Sequence, residues 1–443
     1  MRTKRHRPDR NNILKIIVIA VDLLLINASY LIGLYIRFLG HPPAANLNPF
    51  VAAAPFLTLS SLAYIDVFGL LQFFRKSRRS IISSVFKLVF MQALTTTAIT
   101  YFLGGFAFPR TVLLYAPAIQ VVLLSAWNWA MLSLRDALTG KTSVMLVGGR
   151  EAAGAVLDRL SRSRLRDRMD VRHVLDPSEK AAIVKLIPAS DEVILCSQLP
   201  QELKMEIMVQ CANSRKVAYL VPEVFEISLL RSKVVHFDDL PVLMPGRLDL
   251  SFEQRFFKRA FDLAATLAAL PLLLPFLAAA AAAVRLTSPG KALYRQERMT
   301  AGGRVYQIYK FRTMREGAEA ETGPVKSPKG DDRVTGVGRF LRRYHIDELP
   351  QLLNVLKGEM SLVGPRSERP YFAEQYSRDI EGYGIRSNVK AGLTGYAQIY
   401  GHYGTLPEYK LKYDILYIKN YSLLLDIKLL LQTVSSVLRE GGA

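Results

Sequence analysis

The chain has 443 residues, of which 50% are hydrophobic, and its mean hydropathy is +0.16 although 22% of its residues are charged. This combination indicates membrane segments joined to charged soluble parts. Only two cysteines, Cys196 and Cys211, are present, which excludes a disulfide framework and a cysteine-based zinc site. The net charge of +20 predicts an anionic partner, and charge alone leaves nucleic acid, a lipid surface and a phosphorylated substrate open.

Four apolar stretches fill the beginning of the chain, at about residues 13–38, 50–74, 82–103 and 112–134. Each has about 20 residues or more, enough to cross a hydrocarbon core as a helix. Basic residues precede the first stretch, and RKSRRS at residues 75–80 joins the second to the third. The sequence therefore predicts a four-helix transmembrane bundle over residues 1–138 with both ends facing the cytoplasm. A buried soluble bundle is the alternative.

From residue 142 onward, short β-branched runs alternate with helical patterns. The runs include TSVMLVGG, VRHVL, DEVILC and KVAYLV. Such alternation predicts a cytosolic α/β domain with a Rossmann-like parallel sheet, at residues 139–246. Its first turn, GGREAAG, does not match G-x-G-x-x-G. We therefore interpret the domain as a scaffold or regulatory unit, with a cofactor site as the alternative.

A fifth apolar stretch, about residues 260–284, opens the remaining segment, 247–443. Pro271 and Pro275 interrupt it near the middle, where each removes a backbone hydrogen bond. A straight helix would cross the membrane, whereas a bent one would return to the cytoplasmic headgroups, and periodicity does not decide between them. The last helical pattern, SLLLDIKLLLQTVSSVLRE, mixes leucines with charges and favours an interfacial position.

Two adjacent carboxylates stand in the stretch HIDELPQLLNVLKG, at Asp347 and Glu348. The run LPQLLNVLK predicts a helix that ends at Gly358, with Asp347 at or near its N-cap. The N-terminal end of a helix favours negative charge, either the carboxylate itself or a phosphate beside it. An ordinary acidic cap is therefore one interpretation of the pair.

Cations crowd the same region of the sequence. They are Arg298, Arg304, Lys310, Arg312, Arg333, Arg339, Arg342, Arg343, Arg366, Arg386 and Lys390. Glycine-rich turns such as VTGVGRFLRR, SLVGPR and AGLTGYAQIYG accompany them, and backbone can approach an oxyanion closely at such turns. Arginine suits bidentate phosphate contact. Together these features indicate a phosphorylated substrate handled at a membrane surface.

The C-terminal part resembles a known family in the order of its motifs. These are KRAFD, the proline-broken apolar helix, SPGKALYRQERMT, YKFRTM, DDRVTGVGRFLRR, DELPQLLNVLKGEMSLVGPR, AGLTGYAQ and YDILYIKNYSLLLDIKLLLQT. They resemble those of the bacterial sugar transferases, which are monotopic polyprenyl-phosphate phosphoglycosyl transferases. The four spans and the Rossmann-like domain resemble the larger members. The resemblance implies a mainly α catalytic domain over residues 247–443 and a re-entrant helix bent at Pro275.

The resemblance also implies a reaction at the bacterial inner membrane, with the catalytic domain on its cytosolic face. A sugar-1-phosphate would move from a nucleoside-diphosphate sugar, in this case a UDP-sugar, to undecaprenyl phosphate, and UMP would leave. Asp347 would be the nucleophile that forms an aspartyl-phosphosugar intermediate, and Glu348 would assist through Mg²⁺ or by proton handling. By motif position we expect Lys310 and Arg366 to bind the substrate phosphate. Three further arginines, Arg298, Arg333 and Arg386, are second choices for the same role.

Some motifs depart from the family pattern. Leu274-Pro275 replaces Ser-Pro at the helix break, Ser367 replaces the second proline of GPRP, and Tyr400-Gly401-His402 replaces NGR. These departures leave the reaction class intact but leave the sugar and the nucleotide open. His345, two residues before Asp347, is interpreted as structural or lipid-facing rather than as a general base.

The implied pathway is the initiation of exopolysaccharide, capsule or O-antigen assembly, with anionic lipids as further partners. Two rival functions stay open: a membrane-anchored NAD-dependent nucleotide-sugar dehydratase or epimerase, and a non-enzymatic polysaccharide assembly protein. Nucleic-acid binding is not expected, because no base-reading module is visible. A homodimer is left open as the assembly.

Overall fold

The structure is a computed structural model that describes residues 7–71, 78–102, 109–138, 141–163, 166, 168–315, 317, 331–401 and 404–440. Residues 1–6 and 75–77, which contribute to the predicted orientation, and His402 lie outside the described residues. The chain forms two compact units, Met1–Val221 and Pro222–Ala443.

The first unit begins with four long apolar helices, as predicted. They are α1 (Arg7–Arg37), α2 (Ala44–Val67), α3 (Arg78–Phe102) and α4 (Val112–Leu138). Each contains a segment long and apolar enough to cross a membrane, and large apolar side chains such as Leu24, Leu59 and Leu114 lie on the outside. The second predicted stretch was placed too far along the chain. Helix α2 ends at Val67, because Gly69 takes a left-handed conformation (φ 70°) that a helix cannot continue.

Polar side chains connect α1 to both α3 and α4 inside the bundle. Asn128 of α4 donates a hydrogen bond to the carboxylate of Asp22 in α1, at 2.8 Å. The hydroxyls of Tyr30 in α1 and Thr96 in α3 lie 2.6 Å apart. All four side chains are buried. Such contacts hold apolar helices together where lipid offers polar groups no partner.

A four-stranded parallel sheet follows, which confirms the predicted α/β domain. Its elements are β1 (Thr142–Val147), α5 (Arg150–Arg162), β2 (Met169–Leu175), α6 (Lys180–Leu186), β3 (Glu192–Leu195), α7 (Gln201–Asn213) and β4 (Val217–Leu220). The strand order is β2-β1-β3-β4. A Cβ atom on Gly148, after β1, would lie 2.5 Å from the Cβ of Cys196. Close packing between neighbouring strand ends therefore requires this glycine, whether or not a cofactor binds.

Among its described residues, the second unit combines α-helices of 5 to 36 residues with three two-stranded sheets. Its elements are α8 (Val224–Ser228), β5 (Lys233–Phe237), β6 (Leu240–Met244), α9 (Phe252–Thr287), β7 (Leu293–Met299), β8 (Val305–Phe311), α10 (Gly336–Arg343), α11 (Leu352–Lys357), β9 (Ser361–Val363), α12 (Pro370–Asp379), β10 (Gly392–Thr394), α13 (Tyr396–Tyr400), α14 (Pro407–Asn420) and α15 (Leu423–Glu440). Residues 222–246 belong to this unit, and Ile227 of α8 packs against Leu411 and Ile415 of α14. The predicted domain limits of 139 and 246 stay a prediction.

Helix α9 contains the fifth apolar stretch and continues through both prolines, Pro271 and Pro275. It begins at Phe252, earlier than predicted, because Ser251 and Gln254 form a capping box that starts a helix there. Its central apolar side chains are exposed, whereas residues near both of its ends are buried against the rest of the second unit. The predicted return to the same membrane face stays a prediction.

Candidate active site

The carboxylate pair lies in a short 3₁₀ helix, Ile346–Gln351, that leads directly into α11. His345 precedes it in the left-handed conformation (φ 53°) and occupies the N-cap position. Asp347 therefore lies two residues beyond the N-cap, inside the first turn. The predicted end of α11 is confirmed, since Gly358 has a φ of 82°.

Glu348 is held by two cations from distant parts of the chain. The Lys310 Nζ atom donates to Oε1 at 2.7 Å. Two nitrogens of Arg366 donate to the two carboxylate oxygens, at 2.6 Å and 3.3 Å. Lys310 comes from β8 and Arg366 from the turn after β9. The structure thus brings together four of the predicted site residues: Asp347, Glu348, Lys310 and Arg366.

Electrostatics keep Glu348 ionised. Burial alone would raise the pKa of its carboxyl, but Arg366 and Lys310 hold that pKa well below its usual range. Burial in turn lowers the pKa of the Lys310 ammonium, and Glu348 counteracts this effect. Because Glu348 stays charged at any physiological pH, it fixes two cations in place and has no proton to donate.

Asp347 is in the opposite situation, although it is the next residue. Among the residues that the structure describes, none donates a hydrogen bond to its carboxylate. Burial and the charge of Glu348 raise its pKa to about 6, against the lowering effects of Lys310, Arg342 and His345. Asp347 is therefore mostly ionised at pH 7 and is free to act on a bound ligand.

The turn that carries Arg366 is packed tightly against the β10 segment. A Cβ atom on Gly364 would lie 2.4 Å from the Lys390 carbonyl oxygen, and one on Gly392 would lie 2.1 Å from the Gly364 nitrogen. Only glycine permits this approach, which explains the glycines of SLVGPR and AGLTG. The backbone is fixed while the Arg366 side chain stays exposed to the cleft.

The three remaining predicted arginines line the same cleft but differ in their partners. Arg298 donates to the Gln296 side chain and, at 3.0 Å, to the Ser367 carbonyl. Burial and the neighbouring charge of Arg366 lower its pKa, so a nearby anion would be favourable there. Arg333 is paired with Asp331 through two nitrogens, at 2.9 Å and 2.7 Å. Arg386 is the most deeply buried of the three.

Two residues at the site were not chosen from the sequence. Arg342 lines the cleft, contacts Thr313 at 2.8 Å and lowers the pKa of Asp347. It lies five residues before Asp347 in a motif already rich in arginine, and that proximity was the available signal. Asp414 of α14 is buried and pairs with Arg386 at 3.0 Å. No local pattern distinguishes it from other helical acids.

The cleft around these residues has a volume of about 2360 Å³, well above the roughly 300–1,000 Å³ of a typical single-ligand site. One part is charged and contains the carboxylate pair, Lys310 and Arg366. Another part is apolar and is lined by Leu430 and Val434 of α15. The cleft can therefore hold a polar ligand and an apolar one side by side.

Comparison with known proteins gives a consistent result. The model of a family described as bacterial sugar transferase matches residues 253–440. The chain is 46% identical over 193 residues to a UDP-glucose:undecaprenyl-phosphate glucose-1-phosphate transferase of Caulobacter vibrioides, covering 42% of this chain and 71% of that protein.

Two longer relatives match over a smaller share of their length. One is a UDP-N-acetylgalactosamine-undecaprenyl-phosphate N-acetylgalactosaminephosphotransferase of Aeromonas hydrophila, 37% identical over 53% of this chain and 56% of that protein. The other is a UDP-glucose:undecaprenyl-phosphate glucose-1-phosphate transferase of Escherichia coli, 39% identical over 52% and 50%. The chain thus spans about half the length of these two relatives.

Proposed function

Because the chain belongs to the bacterial sugar transferase family, we propose that it transfers a sugar-1-phosphate from a UDP-sugar to undecaprenyl phosphate and releases UMP. One observation carries this proposal. Asp347, whose carboxylate accepts no hydrogen bond from the described residues, lies beside Glu348, which is engaged by two cations. Both lie in a cleft that is charged at one part and apolar at another.

The reaction takes place in two displacements at one phosphorus atom. An oxygen of Asp347 attacks the phosphorus that carries the sugar, the bond to the UMP oxygen breaks, and an aspartyl-phosphosugar intermediate forms. An oxygen of undecaprenyl phosphate then attacks the same phosphorus. The acyl phosphate bond breaks, the Asp347 carboxylate is restored, and undecaprenyl diphosphosugar is the product.

Cations make the first displacement feasible. A carboxylate about 4 Å from one phosphate charge is repelled by roughly 4 kcal/mol at an effective dielectric constant of 20, which would slow the attack by about three orders of magnitude. Lys310 and the exposed Arg366 are already held near Asp347 by Glu348, and Arg298 adds a partly buried charge. These groups counter the repulsion and stabilise the equatorial oxygens.

Magnesium fits this site as a cofactor. Within the described part of the chain, no three His, Cys, Asp or Glu side chains gather into a closed metal site. Mg²⁺ commonly binds one or two carboxylates together with substrate phosphates. The free oxygens of Asp347 suit that arrangement better than those of Glu348, which are already engaged. When bound, the ion supplies positive charge to the phosphate oxygens.

We place the catalytic unit at the cytosolic face of the bacterial inner membrane, and the contacts of α9 support the part of this proposal that puts both ends of the helix on one side. Near its beginning, Lys258 pairs with Asp426 of α15, and near its end Val284 packs with Phe311 and Leu341. About 26 residues separate these contacts, which is about 39 Å of straight helix and exceeds a hydrocarbon core of about 30 Å. A single compact unit contacts both ends of the helix. This favours a re-entrant helix that bends at Pro275 and leaves both ends on one side.

The biological role follows from the product. A lipid-linked sugar on the cytosolic face is the starting unit for exopolysaccharide, capsule or O-antigen repeats.

The rival function, a nucleotide-sugar dehydratase or epimerase, would use a Tyr-x-x-x-Lys pair, and Tyr306 and Lys310 have that spacing. In the structure Tyr306 is buried and Lys310 is bound to Glu348, and no observation favours that rival.

The test measures UMP release by the purified full chain with undecaprenyl phosphate and a panel of radiolabelled UDP-sugars. We expect release with at least one sugar, its loss in Asp347→Asn, and trapping of the labelled sugar phosphate on the wild-type protein when acceptor is omitted. EDTA should stop release, and added Mg²⁺ should restore it. Absence of release with every sugar would contradict the proposal.

A further inference from the structure

The turn that carries Arg366 is held at four successive carbonyl groups. Pro365 accepts a hydrogen bond from the Gly392 nitrogen at 2.8 Å, and Glu368 accepts one from the Met299 nitrogen at 3.0 Å. Between them, the Arg366 carbonyl accepts from Arg386 at 2.8 Å, and the Ser367 carbonyl accepts from Arg298 at 3.0 Å. The side chains of Arg386 and Arg298 thus fix two successive peptide groups, one on each side of Ser367.

Arg386 is itself held from several directions. Its guanidinium pairs with Asp414 at 3.0 Å and lies 3.9 Å from Glu368. It also donates to the Tyr383 hydroxyl and stacks over that ring, with 5.0 Å between the guanidinium carbon and the ring centroid. Arg386 and Asp414 are both buried. Two carboxylates already balance its charge, so little of that charge is left to attract a phosphate.

We propose that Arg386 is a positioning residue that acts through Arg366 instead of binding the substrate phosphate itself. Asp414 orients Arg386, Arg386 fixes the Arg366 carbonyl, and the fixed backbone directs the Arg366 guanidinium toward Glu348 and the transferring phosphoryl group. This proposal rests on the proposed function, and it replaces a direct phosphate contact with an indirect one.

Physical reasoning favours this role over direct binding. A side chain such as Arg366, which is exposed and has many rotamers, loses freedom when it binds a ligand. When the backbone is already fixed, the Arg366 side chain has fewer conformations to lose on binding. Accurate placement also matters, because misplacing a group by about 1 Å can lower the rate roughly a hundredfold. Lysine could keep the charge at position 386, but it cannot contact Asp414, Tyr383 and a carbonyl through one planar fork.

A double-mutant cycle separates the two roles. Arg386→Lys, Arg366→Ala and the double variant are compared through kcat/KM for the radiolabelled UDP-sugar donor. We expect Arg386→Lys alone to lower kcat/KM roughly tenfold to a hundredfold, mainly through kcat. When Arg366 is already alanine, Arg386→Lys should change kcat/KM by less than about twofold, because the side chain that Arg386 positions is no longer present. If the decrease in kcat/KM of the double variant equals the product of the decreases in the two single variants, Arg386 contacts the substrate independently of Arg366, and the proposal is overturned.

Arg259→Lys is the matched control. Arg259 also binds two backbone carbonyls, those of Val355 and Leu356 at 2.5 Å and 2.8 Å, but at the far end of α11. The Arg259→Lys substitution should lower the thermal stability of the protein with little change in kcat. Should Arg386→Lys fail to fold, Asp414→Asn replaces it in the same cycle, because it leaves the arginine in place without its main carboxylate partner.

A second measurement does not depend on activity. Hydrogen exchange of the backbone amides of residues 364, 366–368 and 392–395 should accelerate in Arg386→Lys and stay unchanged in Arg259→Lys. Unchanged exchange in both variants would overturn the proposal even if the enzyme is active. If the wild type shows no transfer with any UDP-sugar, the proposed function fails, and hydrogen exchange still tests whether Arg386 fixes the turn.

Discussion

Two neighbouring carboxylates at this site have opposite electrostatic environments. Glu348 accepts hydrogen bonds from Lys310 and Arg366, which hold its pKa well below the usual range, whereas burial and Glu348 raise the pKa of Asp347 to about 6. Environments that separate the pKa values of paired acids are typical of sites that divide chemical roles. We therefore propose that Asp347 is the nucleophile and that Glu348 is the fixed charge.

The first residue-scale prediction concerns pH. Asp347 must be ionised to attack phosphorus, so kcat/KM for the UDP-sugar should rise with pH up to about 6 and then level off. At pH 5 it should be about tenfold lower than at pH 7. Glu348 should add no further step in that range, because its carboxyl stays ionised. A flat profile between pH 5 and pH 7 would contradict the role of Asp347.

The second residue-scale prediction concerns stability. The pKa of Asp347 is raised from 3.8 to about 6, so the ionised form is disfavoured in the folded state. This cost is absent below pH 4, grows between pH 4 and pH 6, and is full above pH 6. Asp347→Asn should therefore raise the free energy of unfolding by up to about 3 kcal/mol at pH 7.5.

Thermal unfolding in detergent measures this effect as an increase of several degrees in the midpoint. The increase should shrink as the pH falls from 6 toward 4. If Asp347→Asn is inactive and also less stable than the wild type at pH 7.5, Asp347 supports the fold. The loss of activity would then not be evidence for a role of Asp347 in the reaction.

At the scale of elements, α9 is joined to α15 by a buried ion pair. The Lys258 Nζ atom lies 2.6 Å from an Asp426 oxygen, and the Tyr417 hydroxyl donates to the other oxygen at 2.8 Å. Asp262, one turn further along α9, accepts from the Leu362 nitrogen at 3.1 Å. These contacts join the beginning of α9 to the strand that precedes the Arg366 turn.

Removing one partner of this pair should be costly. Lys258→Ala leaves Asp426 buried without its cation, so we expect a loss of about 3–5 kcal/mol in the free energy of unfolding. The double variant Lys258→Met with Asp426→Leu should recover much of the lost free energy of unfolding, because two apolar side chains replace two buried charges. Arg162→Ala is the control, since its pair with Asp158 is exposed and worth about 0–1 kcal/mol. Equal effects of the two alanine variants would contradict this account.

At the scale of the whole molecule, the proposal requires both ends of α9 to be on the cytosolic side. Single cysteines at Glu253 and Lys291 should react with a membrane-impermeant maleimide in inside-out vesicles and stay unreactive in intact spheroplasts. A cysteine at His41, between α1 and α2, should show the reverse pattern. The native Cys196 and Cys211 are buried and give little background.

Labelling of Lys291→Cys from outside the cell would place the carboxylate pair in the periplasm. The UDP-sugar could not reach it there, and the proposed reaction would be excluded at this site. Labelling of Glu253→Cys and Lys291→Cys from opposite sides would show a helix that crosses the membrane, in spite of the contacts at both of its ends.

Features that depend on local order could be predicted from the sequence alone. The four apolar helices, the parallel sheet and the family could be predicted, since each follows from the length of an apolar run, a change of period or the order of contiguous motifs. Helix limits were less certain at α2, where Gly69 ended the helix early, and at α9, where a capping box started it early.

Which of the two carboxylates is engaged by cations became clear only from the folded structure. The Glu348 partners are 38 and 18 residues away in the chain, so no local pattern could show which of two adjacent carboxylates is engaged and which is free. The same holds for Arg386, which resembles the other cations in sequence until Asp414 of α14 packs against it. Motifs specify which side chains are present, whereas burial and long-range pairing set their charge and freedom, and those properties exist only after the chain has folded.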